Sequence, residues 1–529
     1  QERIHRNSRW CEFTLRQVYA ELAAYLGWSE EETAEIMAEE YRVESELLRV
    51  LPGAHQLIEE MRLRGHQVAF LSDMYLEKDF LWEQLRKHGL CQEGDRCHVS
   101  CELGHPKRTG EAFRVMAKLH NVDVRRIIHH GNHPEFDIRG GQRAGAQTRA
   151  LYEGNPNRFE KILEARVFDT QGLSAVIAGA ARLARLSVPA ATPEQAVLRD
   201  VTAGVVAPAL VGYVLWVLQR ARRMKLRRLY FLAGGGQVLL GIARRLAPAL
   251  RIDCELRTLC ASYQDGFLPA VETPEARESL LAYFAREGLL DGEPHALVDS
   301  GWSGDLVNTL AGIIPGGAEC VPPTFCFTRS RPPLDDRGCM NLPYFSNARE
   351  RQGFLEINPE WLVNILFSAG YAATVEPAGT PAETAAGREG KNVGAHADVV
   401  QRTLDAFVEN LHLDHSMINV TADARPAIAA VLSALISEPT HAEARVLGSF
   451  ATRDDVANGR SIPVARPYTV AQIPSCLRSG RIGSQQPSEW IAASVALTPP
   501  LLRTVLHAAA RAGREARRLA RFLARFGSR

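Results

Sequence analysis

The chain has 529 residues, of which 46% are hydrophobic and 23% charged, and its formal net charge at pH 7 is +1. This length predicts about two to four domains of a soluble globular protein, at roughly 100–200 residues per domain. A chain this close to neutrality has no overall electrostatic attraction for nucleic acid, so we expect no nucleic-acid partner.

The cysteine pattern favours a reducing compartment. Ten cysteines are spread along the chain without a Cys-x-x-Cys pair, and the sequence shows neither a signal peptide nor an apolar run of transmembrane length. We therefore expect a cytoplasmic protein. Removal of a signal upstream of Gln1 stays an open alternative, because the sequence does not open with Met.

Two groups of residues resemble metal ligands but are interpreted otherwise. One group lacks the spacing of a standard zinc site and is read as buried structural thiols; it comprises Cys91, Cys97, His98 and Cys101. The other, His129 with His130, is interpreted as a packing pair at the end of a strand.

The first 51 residues have a helical pattern. Leu15, Val18, Tyr19 and Leu22 recur at helical spacing, and Ser29 is followed by three glutamates, which indicates the start of a second helix. We predict that residues 1–51 form a helical region.

Residues 52–165 alternate between helical and strand patterns, which predicts a doubly wound α/β unit. The predicted helices are 54–64, 78–88, 110–119 and 138–144, and the predicted strands are 68–71, 96–100, 127–130 and 148–151. Strand 68–71 is apolar throughout, and we expect it to be buried.

Polar residues follow two of these strands. Ser72 and Asp73 come directly after strand 68–71, and a loop with Asn132 and Asp137 follows strand 127–130. Because the carboxyl ends of parallel strands meet at one edge of a sheet, we expect these side chains to converge on one crevice with Lys107. A hydroxyl, a lysine and an acidic loop at such an edge indicate a phosphotransfer site.

A second α/β domain is predicted over residues 190–376. A long apolar helix, 204–220, precedes a strand that runs into a glycine turn, and a later strand, 296–299, ends in a polar turn. Backbone N–H groups of the glycines can cradle a phosphate or sugar phosphate, with the acidic and hydroxyl side chains orienting its hydroxyls. The candidate residues are Gly234, Gly235, Gly236, Asp299, Ser303 and Asp305. Alternatively, the glycines only make a tight turn and Asp299 caps a helix.

The rest of the chain is predicted to be a linker and a helical region. Residues 377–397 are rich in Ala, Gly, Thr and Pro and read as the linker, and residues 398–529 carry helical patterns. Residues 501–529 contain eight arginines and one glutamate interleaved with apolar residues. Such a basic amphipathic helix suits an anionic membrane surface or a protein partner; a tail helix that packs one face on the body is an equal alternative.

The motifs of the first part resemble the haloacid-dehalogenase-like hydrolase superfamily. They are Phe-Leu-Ser-Asp-Met-Tyr-Leu at 70–76, Lys-Arg at 107–108, and His-Gly-Asn-His-Pro-Glu-Phe-Asp at 130–137 followed by Ala-Gly at 144–145. The first motif is most similar to a branch of large bacterial proteins associated with glycosyltransferases and surface-polysaccharide synthesis. The resemblance spans roughly residues 10–375, with looser motifs in the second half, where Gly234-Gly235 replaces the family's Arg-Asp.

This resemblance implies a Rossmann-like core with a helical cap over the active site, and it implies roles for four residues. Ser72 would hold a phosphoryl oxygen, Lys107 would neutralise the nucleophile and phosphate, and Asn132 with Asp137 would hold Mg²⁺. Asp73 is counted with the substrate-binding residues.

Two departures from the family imply weak or absent catalysis. No Asp-x-Asp sequence precedes Phe70, so the nucleophile, its acid/base partner and the first, central strand are missing from the given sequence, either because it is a fragment or because the protein never had them. Asn132 stands where relatives have an aspartate, which removes one charged ligand and predicts weak or absent Mg²⁺ binding.

Three functions follow as hypotheses. The first is an impaired phosphohydrolase for a small phosphate ester such as a sugar phosphate. The second is a non-catalytic binding or scaffold protein in surface-glycan synthesis, and the third is a transferase activity in the second domain. We expect a cytoplasmic location. The alternative is peripheral attachment to a membrane through residues 501–529.

Overall fold

The computed structural model describes residues 12–232, 236–259, 274–299, 305–328, 340–345, 393–413, 419–450, 463–482 and 490–526. The chain divides into two compact units, Gln1–Asn155 (unit 1) and Pro156–Arg529 (unit 2). Both combine helices with strands, and every strand pair in the described residues is parallel. The protein therefore has an α/β fold, as the sequence predicts.

Unit 1 follows the predicted alternation of helices and strands. Its helices are α1 Leu15–Leu26, α2 Glu30–Leu47, α3 Ala54–Leu63, α4 Lys78–Lys87, α5 Ser100–Leu103, α6 Glu111–Leu119 and α7 Gly140–Ala144. Its strands are β1 Ala69–Ser72, β2 Arg96–Val99, β3 Ile128–Gly131 and β4 Gln147–Ala150. A 3₁₀ turn, Lys107–Thr109, precedes α6, and a π-helical turn, Pro134–Arg139, precedes α7.

The first two helices begin where the sequence indicates. The Ser29 hydroxyl accepts a hydrogen bond from the Glu32 N–H while the Glu32 carboxylate accepts one from the Ser29 N–H, so each satisfies a backbone donor that the helix start would leave open. Thr14 and Gln17 form the same reciprocal pair at the start of α1. The predicted helix start at Ser29 is confirmed.

The strands of unit 1 form two separate pairs among the described residues. β1 pairs with β2, with Ser72 level with Val99, and β3 pairs with β4, with Gly131 level with Ala150. The expectation that strand 68–71 is buried is wrong, because Ala69 is exposed and the rest of β1 is half-buried. The reason is that β1 has one described neighbour, so its other edge is not covered by a strand of residues 12–232.

Unit 2 contains a five-stranded sheet with long helices. Its helices are α8 Arg158–Glu164, α9 Leu173–Ser187, α10 Pro193–Val201, α11 Ala207–Arg223, α12 Gly236–Ala249, α13 Pro274–Arg286, α14 Asp305–Ile313, α15 Val393–Glu409, α16 Arg425–Ser437, α17 His441–Gly448, α18 Ile473–Ser479, α19 Ile491–Leu497 and α20 Pro500–Phe526. Its strands are β5 Arg228–Leu232, β6 Glu255–Leu259, β7 His295–Asp299, β8 Thr324–Thr328 and β9 Asn341–Phe345, in the order β6-β5-β7-β8-β9.

The core of unit 2 is built around one continuous helix. A π-helical turn, Thr202–Val206, joins α10 to α11, and the resulting segment Pro193–Arg223 is long and apolar enough to cross a membrane by length and composition. This corrects the expectation that no such apolar run exists. Since 94% of its apolar window is buried inside the protein, the segment is accounted for as a core helix.

The boundaries in the structure differ from the predicted ones at two places. Residues 156–165, predicted as the end of the first core, belong to unit 2, as does everything from there to the second predicted domain. The helix α15 begins at Val393, inside the predicted linker. The remaining linker residues, 377–392, lie outside the described residues.

Candidate functional site

The loop after β1 is held by backbone hydrogen bonds from neighbouring segments. Both carboxylate oxygens of Asp73 accept the backbone N–H of Lys107, each at 2.9 Å, and the Met74 N–H donates to the Ser100 hydroxyl at 3.1 Å. Ser72, the last residue of β1, is half-buried and directly precedes Asp73. The strand end is therefore tied to the 3₁₀ turn that carries Lys107.

Lys107 joins the ends of the two strand pairs. Its Nζ lies 2.5 Å from Asp137 Oδ1, and both side chains are nearly buried, with 10% and 4% of their surface exposed. Since Asp73 follows β1 and Asp137 follows β3, one lysine contacts both loops, through its backbone and through its side chain. The structure brings Asp73, Lys107 and Asp137 together.

Asp137 is also held by a residue of β3 and by a residue of its own loop. His129 Nε2 lies 2.9 Å from Asp137 Oδ1, and the His133 N–H donates to Asp137 Oδ2 at 2.8 Å. The imidazole of His129 packs edge-on against Phe113, with ring centroids 4.9 Å apart. The carboxylate thus accepts hydrogen bonds at both oxygens.

The two aspartates have pKa values shifted in opposite directions. Burial would raise the pKa of Asp137, but the hydrogen bonds from His129 and Lys107 and the charge of Lys107 outweigh it and hold the pKa well below its usual range. For Asp73, burial is the largest effect and raises the pKa, against the opposing hydrogen bond and charge of Lys107. At neutral pH the site therefore holds Asp137 firmly ionised.

Two glycines allow this close packing. A Cβ on Gly131 would lie 2.3 Å from Asp137 Cγ, and a Cβ on Gly140 would lie 2.1 Å from the Lys107 carbonyl oxygen. Neither position leaves room for a side chain. The glycines let the loop after β3 and the start of α7 close on Lys107 and Asp137.

The residues present do not fit a Mg²⁺ ion. The Asn132 Nδ2 donates to Asn155 Oδ1 at 2.6 Å, and Asn132 is exposed, whereas Asp137 is buried with both oxygens engaged. Mg²⁺ requires several oxygen ligands in near-octahedral geometry, and here the carboxylates of Asp73 and Asp137 both already accept hydrogen bonds from Lys107. Among the described residues no group of three or more His, Cys, Asp or Glu side chains could hold a metal.

Sequence reasoning missed four members of the network. His129 was interpreted as a packing residue, and His133, Ser100 and Asn155 were not singled out. A signal for His129 existed: residues 129 and 131 share one face of a strand by the two-residue period, and Gly131 adjoins Asp137. Ser100 accepts through its hydroxyl, Asn155 accepts through its side-chain amide oxygen, and His133 donates through its backbone N–H. These contacts depend on loop geometry that the sequence does not display.

The second predicted site is only partly within the described residues. Gly234, Gly235 and Ser303 lie outside them, while Gly236 is the first residue of α12 and Asp305 the first of α14. Asp299 ends β7, and its backbone carbonyl accepts a hydrogen bond from the Tyr213 hydroxyl at 2.9 Å. The phosphate-cradle hypothesis for this turn stays a prediction.

The thiols near β2 are protonated at neutral pH. Burial raises the pKa of Cys97 to about 11 and that of Cys101 to about 12. A metal-binding cysteine needs the thiolate form, so these values favour structural thiols. His98 faces His120 instead, with 2.7 Å between their Nε2 atoms.

A cavity of about 640 Å³ lies among α1, α2, α4 and α5 of unit 1. Its charged lining includes Arg16, Arg42, Glu77, Asp79, Glu83 and Glu102, and Tyr41 donates a hydrogen bond to Glu77 there. Four carboxylates against two arginines give a surplus of negative charge. This lining disfavours a phosphate, so the cavity is distinct in character from the Lys107 site.

No family model matches the chain, and the search of curated proteins found no match to it.

Proposed function

We propose that unit 1 binds a small phosphate ester, such as a sugar phosphate, in the manner of a haloacid-dehalogenase-like phosphohydrolase, and that this chain hydrolyses it slowly or not at all. The observation that carries the proposal is the position of Lys107. The Lys107 backbone N–H donates to the Asp73 carboxylate, which follows β1, and the Lys107 ammonium group contacts Asp137, which follows β3. The lysine is thereby held between the loops that follow β1 and β3, and Ser72 directly precedes Asp73 at the end of β1.

The chemistry of Lys107 suits a phosphoryl oxygen. An ammonium group has three N–H donors, and the contact with Asp137 uses one of them. Ser72 offers a hydroxyl donor at the adjoining strand end. Asp137 then acts as the counter-charge that holds the lysine in place, and no step requires a metal.

Weak catalysis follows from the state of the carboxylates. Covalent phosphoryl transfer needs a carboxylate nucleophile, and hydrolysis of the acyl phosphate needs a base beside it. Both oxygens of Asp137 and both oxygens of Asp73 accept hydrogen bonds from the protein. Among residues 12–232 no further strand lies against the open edges of β1 and β3 to supply such a pair.

The test is binding measured separately from turnover. Titration calorimetry with glucose 6-phosphate, and with inorganic phosphate, should show binding that changes little with Mg²⁺, while release of phosphate from the ester stays near background. Ser72→Ala should weaken binding by roughly tenfold, the effect of losing about 1.4 kcal/mol from one hydrogen bond to a charged group. Lys107→Met should abolish binding.

Controls separate a lost site from a lost fold. Lys118→Met changes an exposed lysine of α6 and should bind as the unmodified protein does. Ser72→Ala keeps the Lys107–Asp137 pair, so its effect is interpretable even if Lys107→Met unfolds. Absence of phosphate binding in the unmodified protein would reject the proposal in favour of the scaffold hypothesis, and rapid turnover that depends on Ser72 would reject the impairment.

The scaffold function in surface-glycan synthesis is the second candidate. It is favoured by the same saturated carboxylates, because a network satisfied by its own protein donors needs no ligand to hold its shape. The transferase hypothesis for the second domain depends on turns that lie mostly outside the described residues.

A further inference from the structure

The C-terminal helix α20 packs one of its faces on unit 2. Its 27 residues span about 40 Å, and it lies against α18, where Leu506, Ala509 and Ala510 are buried together with Tyr468 and Cys476. The contact is close at Gly513, where a Cβ would lie 2.0 Å from the Leu477 carbonyl oxygen. This face of the helix is therefore occupied.

A second apolar stripe on α20 faces solvent. Leu501 is 85% exposed and Val505 is 46% exposed. The stripe continues at helical spacing through three exposed alanines, Ala508, Ala512 and Ala516. In sequence, Leu519, Leu523 and Phe526 extend the same spacing to the end of the helix. Among the residues whose side chains the structure describes, the apolar stripe runs from Leu501 to Ala516, beside the face that packs on α18.

The surroundings of the stripe are strongly basic. Residues 463–482 and 490–526 contain ten arginines, one glutamate, and neither aspartate nor lysine. Arg511, one helical turn after Ala508, is exposed, and Arg518 is exposed on the same face as Arg511. Arg514 donates to the Gly480 carbonyl oxygen at 3.0 Å, an uncharged acceptor. The helix carries a concentrated positive charge on a chain whose net charge is only +1.

We propose that α20 is a membrane-surface helix that lies flat on an anionic bilayer, with the Leu501–Val505 stripe in the headgroup region and the flanking arginines on lipid phosphates. Amphipathic helices with a charged, arginine-rich face and low overall hydrophobicity bind in this way. Each arginine near an anionic surface contributes about 1 kcal/mol, and long side chains let the charge reach the headgroups. The arginines rule out a transmembrane position for the helix.

A lipid surface fits these observations better than a macromolecular partner. A nucleic acid would use the arginines but leave Leu501 and Val505 in water, whereas a lipid interface takes both. A protein groove would need side chains large enough to fill it, and the middle of the stripe consists of alanines. A fluid interface needs no such shape complementarity.

The experiment is co-sedimentation of the full chain with vesicles of phosphatidylcholine containing one third phosphatidylglycerol, and with vesicles of phosphatidylcholine alone. We expect binding to the anionic vesicles, loss of that binding at high salt, and little binding to the neutral ones. Arg511→Gln with Arg518→Gln should weaken it about 30-fold, which corresponds to about 1 kcal/mol for each arginine. Leu501→Asp with Val505→Asp should abolish it.

Matched controls use exposed residues elsewhere in unit 2. Phe168→Asp changes a side chain that is 91% exposed, and Arg244→Gln changes an exposed arginine of α12; both should leave vesicle binding unchanged. Equal binding to neutral vesicles, or no binding to anionic vesicles at low salt, would overturn the proposal. The proposal would also be overturned if the same residues were needed for binding of duplex DNA or for self-association and the protein did not bind vesicles. All the altered residues are at the surface, so loss of fold does not confound the result.

Discussion

At the scale of single residues, the ionised forms of Asp73 and Asp137 have opposite effects on the stability of the fold, and both effects depend on pH. The lowered pKa of Asp137 means that its ionised form stabilises the fold. This stabilisation is complete above the ordinary aspartate pKa of about 3.9 and is lost as the pH falls below it. The pKa of Asp73 is raised, mainly by burial, so its ionised form opposes folding. This opposition decreases as the pH falls from the raised pKa and is gone below the ordinary aspartate pKa.

We predict that Asp137→Asn destabilises unit 1 by about 3–5 kcal/mol at neutral pH, the effect of removing one member of a buried ion pair. Asp73→Asn should change stability by less than about 1 kcal/mol, because an amide oxygen still accepts the Lys107 N–H. Hydrogen–deuterium exchange of peptides from residues 96–150, corrected for intrinsic rates, measures both. The Asp137→Asn deficit should shrink as the pH is lowered below about 3.9.

The control for this pair is Glu111→Gln. Glu111 pairs with Arg114 at the surface, where 47% and 44% of the two side chains are exposed, so its loss should change stability by at most about 1 kcal/mol. Equal destabilisation by Asp73→Asn and Asp137→Asn would contradict the assignment of opposite effects.

How far the sequence predicted the site depends on the kind of contact. Asp73 directly follows β1, Lys107 sits on a turn fixed by Pro106, and Asp137 lies in the π-helical turn after β3; the parallel arrangement brings such positions together, which made this region predictable. The contact that Asn132 makes was less predictable, because its side-chain amide donates a hydrogen bond to Asn155, 23 residues away in the chain. Hydrogen bonds between distant loops depend on loop geometry that local sequence patterns do not encode.

At the scale of elements, the start of α7 depends on a glycine that packs against another turn. Gly140 has helical angles, φ −62° and ψ −46°, so the reason for glycine is space and not conformation. Gly140→Ala should destabilise unit 1 by about 1–3 kcal/mol, because the new methyl group meets the backbone carbonyl of Lys107, which cannot move independently. Exchange rates of peptides that contain residues 107–119 should rise.

Gly179→Ala is the matched change in a helix with open space. No atom lies within 4 Å of a Cβ at Gly179 in α9, so alanine should stabilise that helix by about 0.5–1 kcal/mol. Stabilisation by Gly140→Ala as well would show that α7 and the Lys107 turn are further apart than the structure indicates.

The predicted elements agree with the structure where local signals are strong. Capping residues and the hydrophobic period predict the starts of α2 and α4 closely. The continuous helix Pro193–Arg223 was predicted only over residues 204–220. The π-helical turn Thr202–Val206 accommodates Gly204 inside a buried helix, where tertiary packing overrides its low helix propensity.

At the scale of the whole molecule, each hydrophobic cluster of the described residues lies within one unit. Leu15, Tyr19 and Leu76 form a small cluster in unit 1, whereas the largest cluster runs from Phe159 to Ala493 in unit 2. The sequence predicts several domains with a first boundary near residue 165, whereas the structure divides after Asn155. The sequence of the helix that begins at Arg158 does not indicate which unit that helix packs against. Separate cores predict that the units respond separately to core mutations.

The buried pair of Glu160 and Arg185 in unit 2 tests this independence. Arg185 Nε lies 2.6 Å from Glu160 Oε1, and the side chains are 7% and 1% exposed for Arg185 and Glu160. Glu160→Gln removes the charge that offsets the buried guanidinium, so unit 2 should lose about 3–5 kcal/mol, and its peptides should exchange faster while those of unit 1 do not change. Asp137→Asn should give the converse pattern. The double change Glu160→Met with Arg185→Met removes both charges and should recover most of the loss. Faster exchange in both units after either single change would mean that they unfold as one cooperative body.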